Sequence, residues 1–440
     1  MPEPGVVVIG AGIAGLTAAS ILQRHGHQVT VLERAPRVGG RIRTEGVGGH
    51  RVDVGAEYVT DAHRHTRDLL SELGMAGQLR PVPLDIALLD GGLPERLALR
   101  SFFAGRHLSP TAQAALVRAY LTVLRHRHEL SFSDMTRAHR LDTATTASLF
   151  PAWGQDAVTR FLNPMMRAFL FSGPSRTSRA VMLAYLRLLL GLRAVDTLDG
   201  GLERLPGRLA ATLDVRLGHE AVSVFEGPLP ADGNASAYRV DVHPPAGRRP
   251  YSLDADAVVC ATTASAAARL LRPTGPPVQK ALSTVRYASA AVLNCDLTVK
   301  VSSPARWVID MGRRDTAVAI MRIVPGDVSD VLTLWSPGGP TGALLCDSSD
   351  EDVLHRMTGA RASETLLPQG RSAIRSFRVD RWPEALPEFP VGHLARIRQV
   401  TAALPGGLTL AGDYLGGQNI EAAIVSGRTA ARVTLGHLAH

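Results

Sequence analysis

Val6-Val7-Val8-Ile9-Gly10-Ala11-Gly12-Ile13-Ala14-Gly15 is the stretch that decides the fold. Its first four residues form a short continuous apolar run, suited to a strand buried on both faces. From Gly15 to Arg24 the apolar residues recur at helical spacing without a proline. Gly26-His27 is a stop, and Gln28–Glu33 (Q-V-T-V-L-E) reads as a second short strand. The result is a β-α-β unit with G-x-G-x-x-G at its strand-to-helix turn. Gly10 permits the tight turn, Gly12 lets the backbone approach a pyrophosphate, and Gly15 allows close packing of helix on strand. Ile13 and Ala14 sit in the first helical turn, where free N–H groups and the positive dipole end face an anion. Glu33 closes the second strand about twenty residues on, the spacing this motif requires. Its carboxylate can accept hydrogen bonds from both ribose hydroxyls and would repel a 2′-phosphate. A dinucleotide other than NADP is therefore expected here.

Moving outward, Glu33-Arg34-Ala35-Pro36-Arg37-Val38-Gly39-Gly40-Arg41-Ile42-Arg43-Thr44 leads directly into a second glycine turn. This E-x-x-x-x-x-G-G-R-x-x-T segment, in register with the first fingerprint, resembles the flavin amine oxidase superfamily. That superfamily includes protoporphyrinogen oxidases and phytoene-desaturase-like enzymes. The resemblance implies FAD, with Arg34 beside the ribose acid and Gly39, Gly40 and Arg41 against the diphosphate and ribityl chain.

Further segments carry the same likeness along nearly the whole chain. Val52–Val59 (V-D-V-G-A-E-Y-V) is similar to the D-x-G-A segment beside the flavin, which implicates Gly55 and Ala56. Val215–Val222 resembles the strand whose valine, here Val222, meets the adenine through its backbone. Asp256–Thr262 looks like the strand crossing back to the cofactor, with Ala261 at its end. Leu198–Leu202, Arg381–Pro387 with Trp382, and Val391-Gly392-His393 resemble the protoporphyrinogen-oxidase-like branch, and His393 is read as structural. Ala411–Glu421, followed by Ser426-Gly427-Arg428, reads as a buried strand ending in Gly412-Asp413, a glycine loop, then a helix. By resemblance Asp413 bonds a ribityl or ribose hydroxyl, and Gln418, Asn419 and Ile420 approach the flavin. A helix N-terminus there would stabilise an anionic reduced ring. The family's covalent flavin cysteine has no counterpart near this loop, so the FAD is expected to be non-covalent.

Composition narrows the class. The 440 residues exceed one ordinary domain, and the apolar content suits a large core. The three cysteines, Cys260, Cys295 and Cys346, are too scattered for a disulfide framework or a metal site. No apolar stretch is long enough to span a membrane. The nearest, Val181–Leu192, is interrupted by Arg187, and Met1-Pro2-Glu3-Pro4 lacks the basic region of a signal peptide. A cytoplasmic setting is expected. The net charge is +8, and apart from Lys280 and Lys300 every basic residue is arginine. Arginine-rich coding, a pocket for an anionic substrate and a nucleic-acid or membrane surface all produce such an excess. The even spread of arginines, without interleaved aromatics, speaks against nucleic acid.

Dinucleotide-type elements at the start, middle and end predict an α/β protein with two domains. One is a discontinuous Rossmann-type FAD-binding domain (1–80, 199–275 and 400–440). The other is an inserted α+β substrate-binding domain (81–198 and 276–399). Together they give the two-domain fold of amine oxidases and GDP-dissociation inhibitors. Residues 80–198 read as mostly helical, with Ser109 capping a helix at Pro110. Strands are expected at Leu217–Phe225, Ala237–Val242 and Asp256–Ala261, and from Leu282 to Ile323. A last strand at Leu408–Ala411 and a last helix at Ile420–Leu438 complete the reading.

Catalytic residues are harder to read, because a flavin asks only that the donor C–H be held over it and water excluded. Many amine oxidases place a lysine near the flavin on a strand of the substrate domain. The comparable Tyr287–Cys295 has none, and Lys300 is expected to be exposed. Glu57, after the Gly55-Ala56 turn, reads either as a buried base with a raised pKa or as a plain hydrogen-bond acceptor. Arg322, in A-V-A-I-M-R-I-V, reads as a substrate-carbonyl or carboxylate ligand or as a strand-edge arginine. Tyr185 is a third catalytic candidate, and together with Phe169 and Phe171 it lines the pocket or packs in the core.

The leading expectation is an oxidase of amine, amide or allylic C–H bonds in a small specialised metabolite. O2 is the acceptor, and cyclisation of the product can follow. The alternatives are a porphyrinogen oxidase and a non-redox binding protein like the GDP-dissociation inhibitors. Partners are a small-molecule substrate and O2, with no nucleic acid, no membrane span and an oligomer left open.

Overall fold

A computed structural model of the protein describes residues 5–90, 92–97, 109–150, 154–227, 237–271, 276–312 and 316–439. Gly5–Ile9 lies at the centre of a five-stranded sheet in the order Asp214–Leu217, Gln28–Glu33, Gly5–Ile9, Ala257–Cys260, Leu408–Leu410. Every neighbouring pair in it is parallel. Val6 and Val8 enter the core shared with helices Ile13–Arg24 and Ile420–Leu438, whereas Val7 and Ile9 enter the core on the opposite face. Burial on both faces is why this strand reads as an unbroken apolar run. The opposite face is covered by a three-stranded antiparallel meander, Glu220–Glu226, Tyr238–His243 and Tyr251–Ala255.

A second, seven-stranded sheet runs in the order Ile374–Pro387, Tyr287–Leu297, Val331–Trp335, Ile320–Val324, Trp307–Asp310, Ile86–Leu89, Glu95–Arg96. Its pairs are antiparallel except Trp307–Asp310 with Ile86–Leu89. Strand alternation divides its side chains. Leu293, Met321, Ile323, Leu332 and Leu334 pack beneath the helices Asp350–Thr358 and Arg361–Leu366. Ala290, Ile309, Ile320 and Trp335 face the other way, with Trp307 and Trp382 against them. The helices Pro110–Arg125 and Arg179–Gly191 belong to a helical layer that meets this sheet through Met165, Ala168 and Phe171. Ser109 caps the first of these helices as expected, its Oγ accepting from Ala112 N at 3.1 Å.

The α/β architecture follows the sequence reading, with three local corrections. Residues 80–198 are not uniformly helical. Leu79–Pro81 and Val195–Leu198 pair with each other, Val195–Leu198 also pairs with Val59–Thr60, and Ile86–Leu89 and Glu95–Arg96 extend the seven-stranded sheet. The expected strand Leu217–Phe225 breaks at Gly218-His219. There both backbone N–H groups turn back to the first unit, donating to Ala35 O at 3.1 Å and Glu33 O at 2.9 Å. Leu282 belongs to the helix Pro276–Ser283, and the strand after it begins only at Tyr287. Among the described residues, no helix is long and apolar enough to cross a membrane, no acidic, histidine and cysteine group could hold a metal, and the cysteines are free.

Candidate flavin and substrate site

The two glycine turns lie side by side. Gly39 N donates to Ala11 O at 2.8 Å, and Gly12 and Gly39 form a parallel bridge. A Cβ on Gly15 would stand 2.0 Å from Gly10 O, so no side chain fits between turn and helix. Gly12 is the opposite case: a Cβ there would meet nothing within 4 Å. The helix Ile13–Arg24, which begins at this open spot, has no side-chain cap and no acidic residue in its first turn. An open cradle facing an uncapped helix N-terminus is what a pyrophosphate requires. Ile13 and Ala14 are buried in that first turn, and Ala261 closes the back, its N donating to Ile9 O at 2.8 Å. Glu33 fixes the turn from the side, accepting from Ala11 N at 2.9 Å and Ala35 N at 2.8 Å. Each of its oxygens keeps a lone pair for a ribose hydroxyl. Arg34 beside it is exposed. Val222 lies at a register shift between Ala221 and Ser223, which leaves its backbone outside the ladder.

The strand Ile374–Pro387 gathers three further segments. Trp382 Nε1 donates to Val54 O at 2.7 Å, Arg41 Nη1 to Ala385 O at 3.0 Å, and Gln418 Nε2 to Pro387 O. The Gly55-Ala56 turn runs beside the second glycine turn, with Ala56 N donating to Arg41 O at 3.0 Å. Arg41 forms a bidentate pair with Asp413, both contacts being 2.7 Å. Each Asp413 oxygen thus accepts one Arg41 donor and keeps a lone pair for a further one, which leaves the expected ribityl or ribose hydroxyl a place. Gly412 N donates to Ser426 Oγ at 2.9 Å. The helix beginning at Ile420 is not bare either, since Asn419 caps it by accepting from Ala422 N at 2.7 Å. Glu421, which the sequence reading passed over, is buried and accepts from His65 N, Thr66 N and Thr66 Oγ1 at 2.7–2.9 Å. It thereby holds the helix Arg64–Glu72 onto this loop. An acid in the first turn of an otherwise apolar helix was the available signal.

Glu57, in the loop before Val59–Thr60, meets Arg322 of the seven-stranded sheet. Arg322 is central on its strand, opposite Trp307 in register and Thr333 on the other side, so the strand-edge reading is wrong. Its Nη1 lies 3.4 Å from Glu57 Oε2 and donates to Tyr58 Oη at 2.9 Å. The guanidinium sits 5.9 Å from the Trp307 ring centre, and Tyr58 packs edge-on against the same ring at 5.0 Å. Side-chain exposure is 7% for Glu57 and 11% for Arg322. Burial pushes the Glu57 carboxyl up to about 7, although Arg322 opposes the shift; Tyr58 and Trp335 are within hydrogen-bonding reach of it. Burial and the neighbouring Glu57 also raise the Tyr58 hydroxyl. Two polar atoms of the pair, Glu57 Oε1 and Arg322 Nε, are buried without a protein partner.

The third catalytic candidate stands apart. Tyr185 packs edge-on against Phe132 at 5.2 Å, beside Asn419. His63 stacks on the same Phe132. Phe169 is 45% exposed and does not line the site, whereas Phe171 is buried and stacks on Trp335. His393 is structural: its buried Nε2 donates to Tyr414 O at 2.9 Å and its ring stacks on Phe389. Lys300 bonds Gly326 O and Asp330 at the sheet's far end. The strand Tyr287–Leu297 lacks a lysine; Tyr287 accepts from Ala264 N and lies beneath Arg41.

The fold and cradle define a flavoprotein oxidoreductase. The family model "Flavin containing amine oxidoreductase" matches residues 13–435, and the chain belongs to that family. It is an FAD-dependent oxidoreductase, which sets aside the non-redox binding-protein alternative. The chain is similar to coproporphyrinogen III oxidase of Mycobacterium tuberculosis, at 26% identity over 459 residues, covering 95% of this chain and 94% of that one. A shorter match, 44% identical over 79 residues, links 17% of this chain to 17% of the flavin-dependent L-tryptophan oxidase RebO of Lentzea aerocolonigenes. Among solved structures, cyclohexylamine oxidase from Brevibacterium oxydans IH-35A shares the fold with a TM-score of 0.73, 19% identity and 100% coverage of both chains.

Proposed function

We propose that the protein oxidises a C–H bond next to nitrogen, in an amine or amide of a small specialised-metabolite substrate. The observation that carries this reading is the buried Glu57–Arg322 pair, with one acceptor and one donor unpartnered beneath an aromatic sheet face. FAD, held non-covalently, would supply the hydride acceptor, with O2 as the terminal oxidant. The reaction removes two electrons and two protons overall: the C–N single bond becomes a C=N bond while O2 becomes H2O2. An imine or iminium product is open to attack by a nucleophile of the same molecule, which would close a ring.

Glu57 Oε1 accepts the substrate N–H, and with a pKa of about 7 the carboxylate takes up that proton at neutral pH. Arg322 Nε–H donates to a carbonyl or carboxylate on the substrate, and its guanidinium keeps Glu57 oriented. Trp307, Trp335 and Trp382 exclude water from that face. Gly10, Gly12, Gly15, Glu33, Gly39, Gly40, Arg41 and Val222 hold the cofactor in this reading. In it the cofactor domain comprises 1–80, 199–275 and 400–440, and the remainder forms the substrate domain.

The test is anaerobic mixing of the holoenzyme with a panel of primary amines, secondary amines and carboxamides, following loss of the oxidised-flavin absorbance. Bleaching by a nitrogen compound supports the proposal; a panel-wide failure removes it. Full-length similarity to a coproporphyrinogen oxidase favours a second reading, oxidation of a porphyrinogen. In the same experiment coproporphyrinogen III would then bleach the flavin and porphyrin fluorescence would appear.

A further inference from the structure

Among the described residues, Phe171 is the non-glycine residue with positive φ, at +51°. A left-handed backbone is costly for a bulky side chain such as phenylalanine and persists there only where its surroundings enforce it. Asparagine or glycine would adopt it at little cost. The surroundings here are built around the phenylalanine. A Cβ on Gly338 would stand 1.9 Å from Phe171 O and 2.6 Å from Phe171 Cβ, so the turn after Trp335 is moulded onto this residue. The strained backbone turns the ring inward, whereas Phe169, two residues earlier, is 45% exposed.

The Phe171 ring stacks on Trp335 with centroids 6.1 Å apart and planes 21° from parallel. Trp335 in turn reaches the Glu57 carboxylate. Phe171 thus stands one aromatic residue away from the Glu57–Arg322 pair, yet it comes from the helical layer rather than the sheet. Ile309, Ile320, Ala288 and Ala290 complete the same apolar cluster. An aromatic surface of this kind favours offset stacking of another flat ring over an alkyl chain. The polar pair offers one acceptor and one donor, which suits a substrate with a single nitrogen group better than one bearing several charges.

We infer that Phe171 is a specificity-determining residue, forming with Trp335 a wall against which the flat ring of an aromatic amine or amide lies while its nitrogen meets Glu57. This rests on the assignment of Glu57 and Arg322 to substrate binding.

The test uses FAD-loaded enzyme titrated anaerobically with tryptamine and, as an aliphatic counterpart, hexylamine, each Kd being taken from the flavin difference spectrum formed before any bleaching. Wild type binds tryptamine more tightly. Phe171→Leu, which keeps an apolar side chain but removes the ring, raises the tryptamine Kd about fivefold and moves the hexylamine Kd less than about twofold. Phe171→Asn, which tolerates the backbone conformation, gives the same asymmetry, with flavin content and melting temperature confirming that both variants are folded. Equal affinity of the two amines for wild type, or an unchanged tryptamine Kd in a flavin-loaded Phe171→Leu, overturns the inference. Parallel weakening of both amines also overturns it, since that reports only a disturbed core. Phe171-dependent tryptamine binding without anaerobic bleaching by any amine removes the amine-oxidase reading and leaves the wall standing. Bleaching without aromatic preference does the reverse.

Discussion

Glu57 titrates within the working pH range, and this has consequences for rate and stability of opposite sign. As a base it acts ionised, so the flavin-reduction rate should climb with pH through about 7 and then level off. Glu57→Gln should slow anaerobic flavin reduction by about 10²–10⁴-fold, the usual range for a positioned acid–base group. Its pKa is raised on folding from 4.5 to about 7, so the native state binds the proton more tightly than the unfolded chain. The stability this gives is complete below about pH 4.5 and is lost as pH rises through about 7, a difference of roughly 3 kcal/mol. Urea titrations should show wild type losing stability relative to Glu57→Gln across that interval. Glu57 was visible in sequence because it follows Gly55-Ala56, and Arg322 because it interrupts an apolar strand. Their meeting was not visible. Arg322 and Tyr58 are 264 positions apart, and local spacing carries no record of a contact made across that distance. Phe171 was named as a pocket or core residue, but its left-handed backbone was hidden for a related reason, since that conformation is set against the loop around Gly338.

At the scale of elements, the first β-α turn is the most constrained. Gly15→Ala would place a Cβ 2.0 Å from the backbone oxygen of Gly10, and neither partner is a side chain that can swing away. Strain of about 1–3 kcal/mol is the usual outcome of such overpacking. The variant should retain less FAD, read from the flavin-to-protein absorbance ratio, and melt at a lower temperature. Elements with strong local signals were legible in sequence: Gln28–Glu33 and Ile420–Leu438 have the expected limits. Short strands were not. Ile86–Leu89 and Glu95–Arg96 span four and two residues, too few for any periodicity to show, and exist because the sheet beside them offers an edge. The break at Gly218-His219 depends on carbonyls of Glu33 and Ala35, far away in sequence.

Across the whole molecule, Arg41 and Asp413 join the second glycine turn to the C-terminal loop over 372 residues. Asp413→Asn should leave the Arg41 guanidinium without its counter-charge. Losing one partner of a well-buried pair costs about 3–5 kcal/mol, and the 31% exposure of the Arg41 side chain puts this case at or below the lower end. Thermal melts should show the loss together with weaker FAD retention, and Arg41→Gln in the Asp413→Asn background should recover part of it. The discontinuous architecture was legible because glycine turns recur at three separated places. The hydrogen bonds that hold Arg41, Val54 and Gln418 to Ile374–Pro387 end on backbone oxygens, whose residues carry no mark of the contact in sequence.

That arrangement also bears on how the molecule is made. A ribosome delivers Leu408–Glu421 after every other segment of the cradle. Until those residues emerge, Ala257–Cys260 lacks Leu408–Leu410 at its edge, Arg41 lacks Asp413 and Pro387 O lacks Gln418. The last-made loop is therefore the one that completes the groove, by pairing with a strand made well before it.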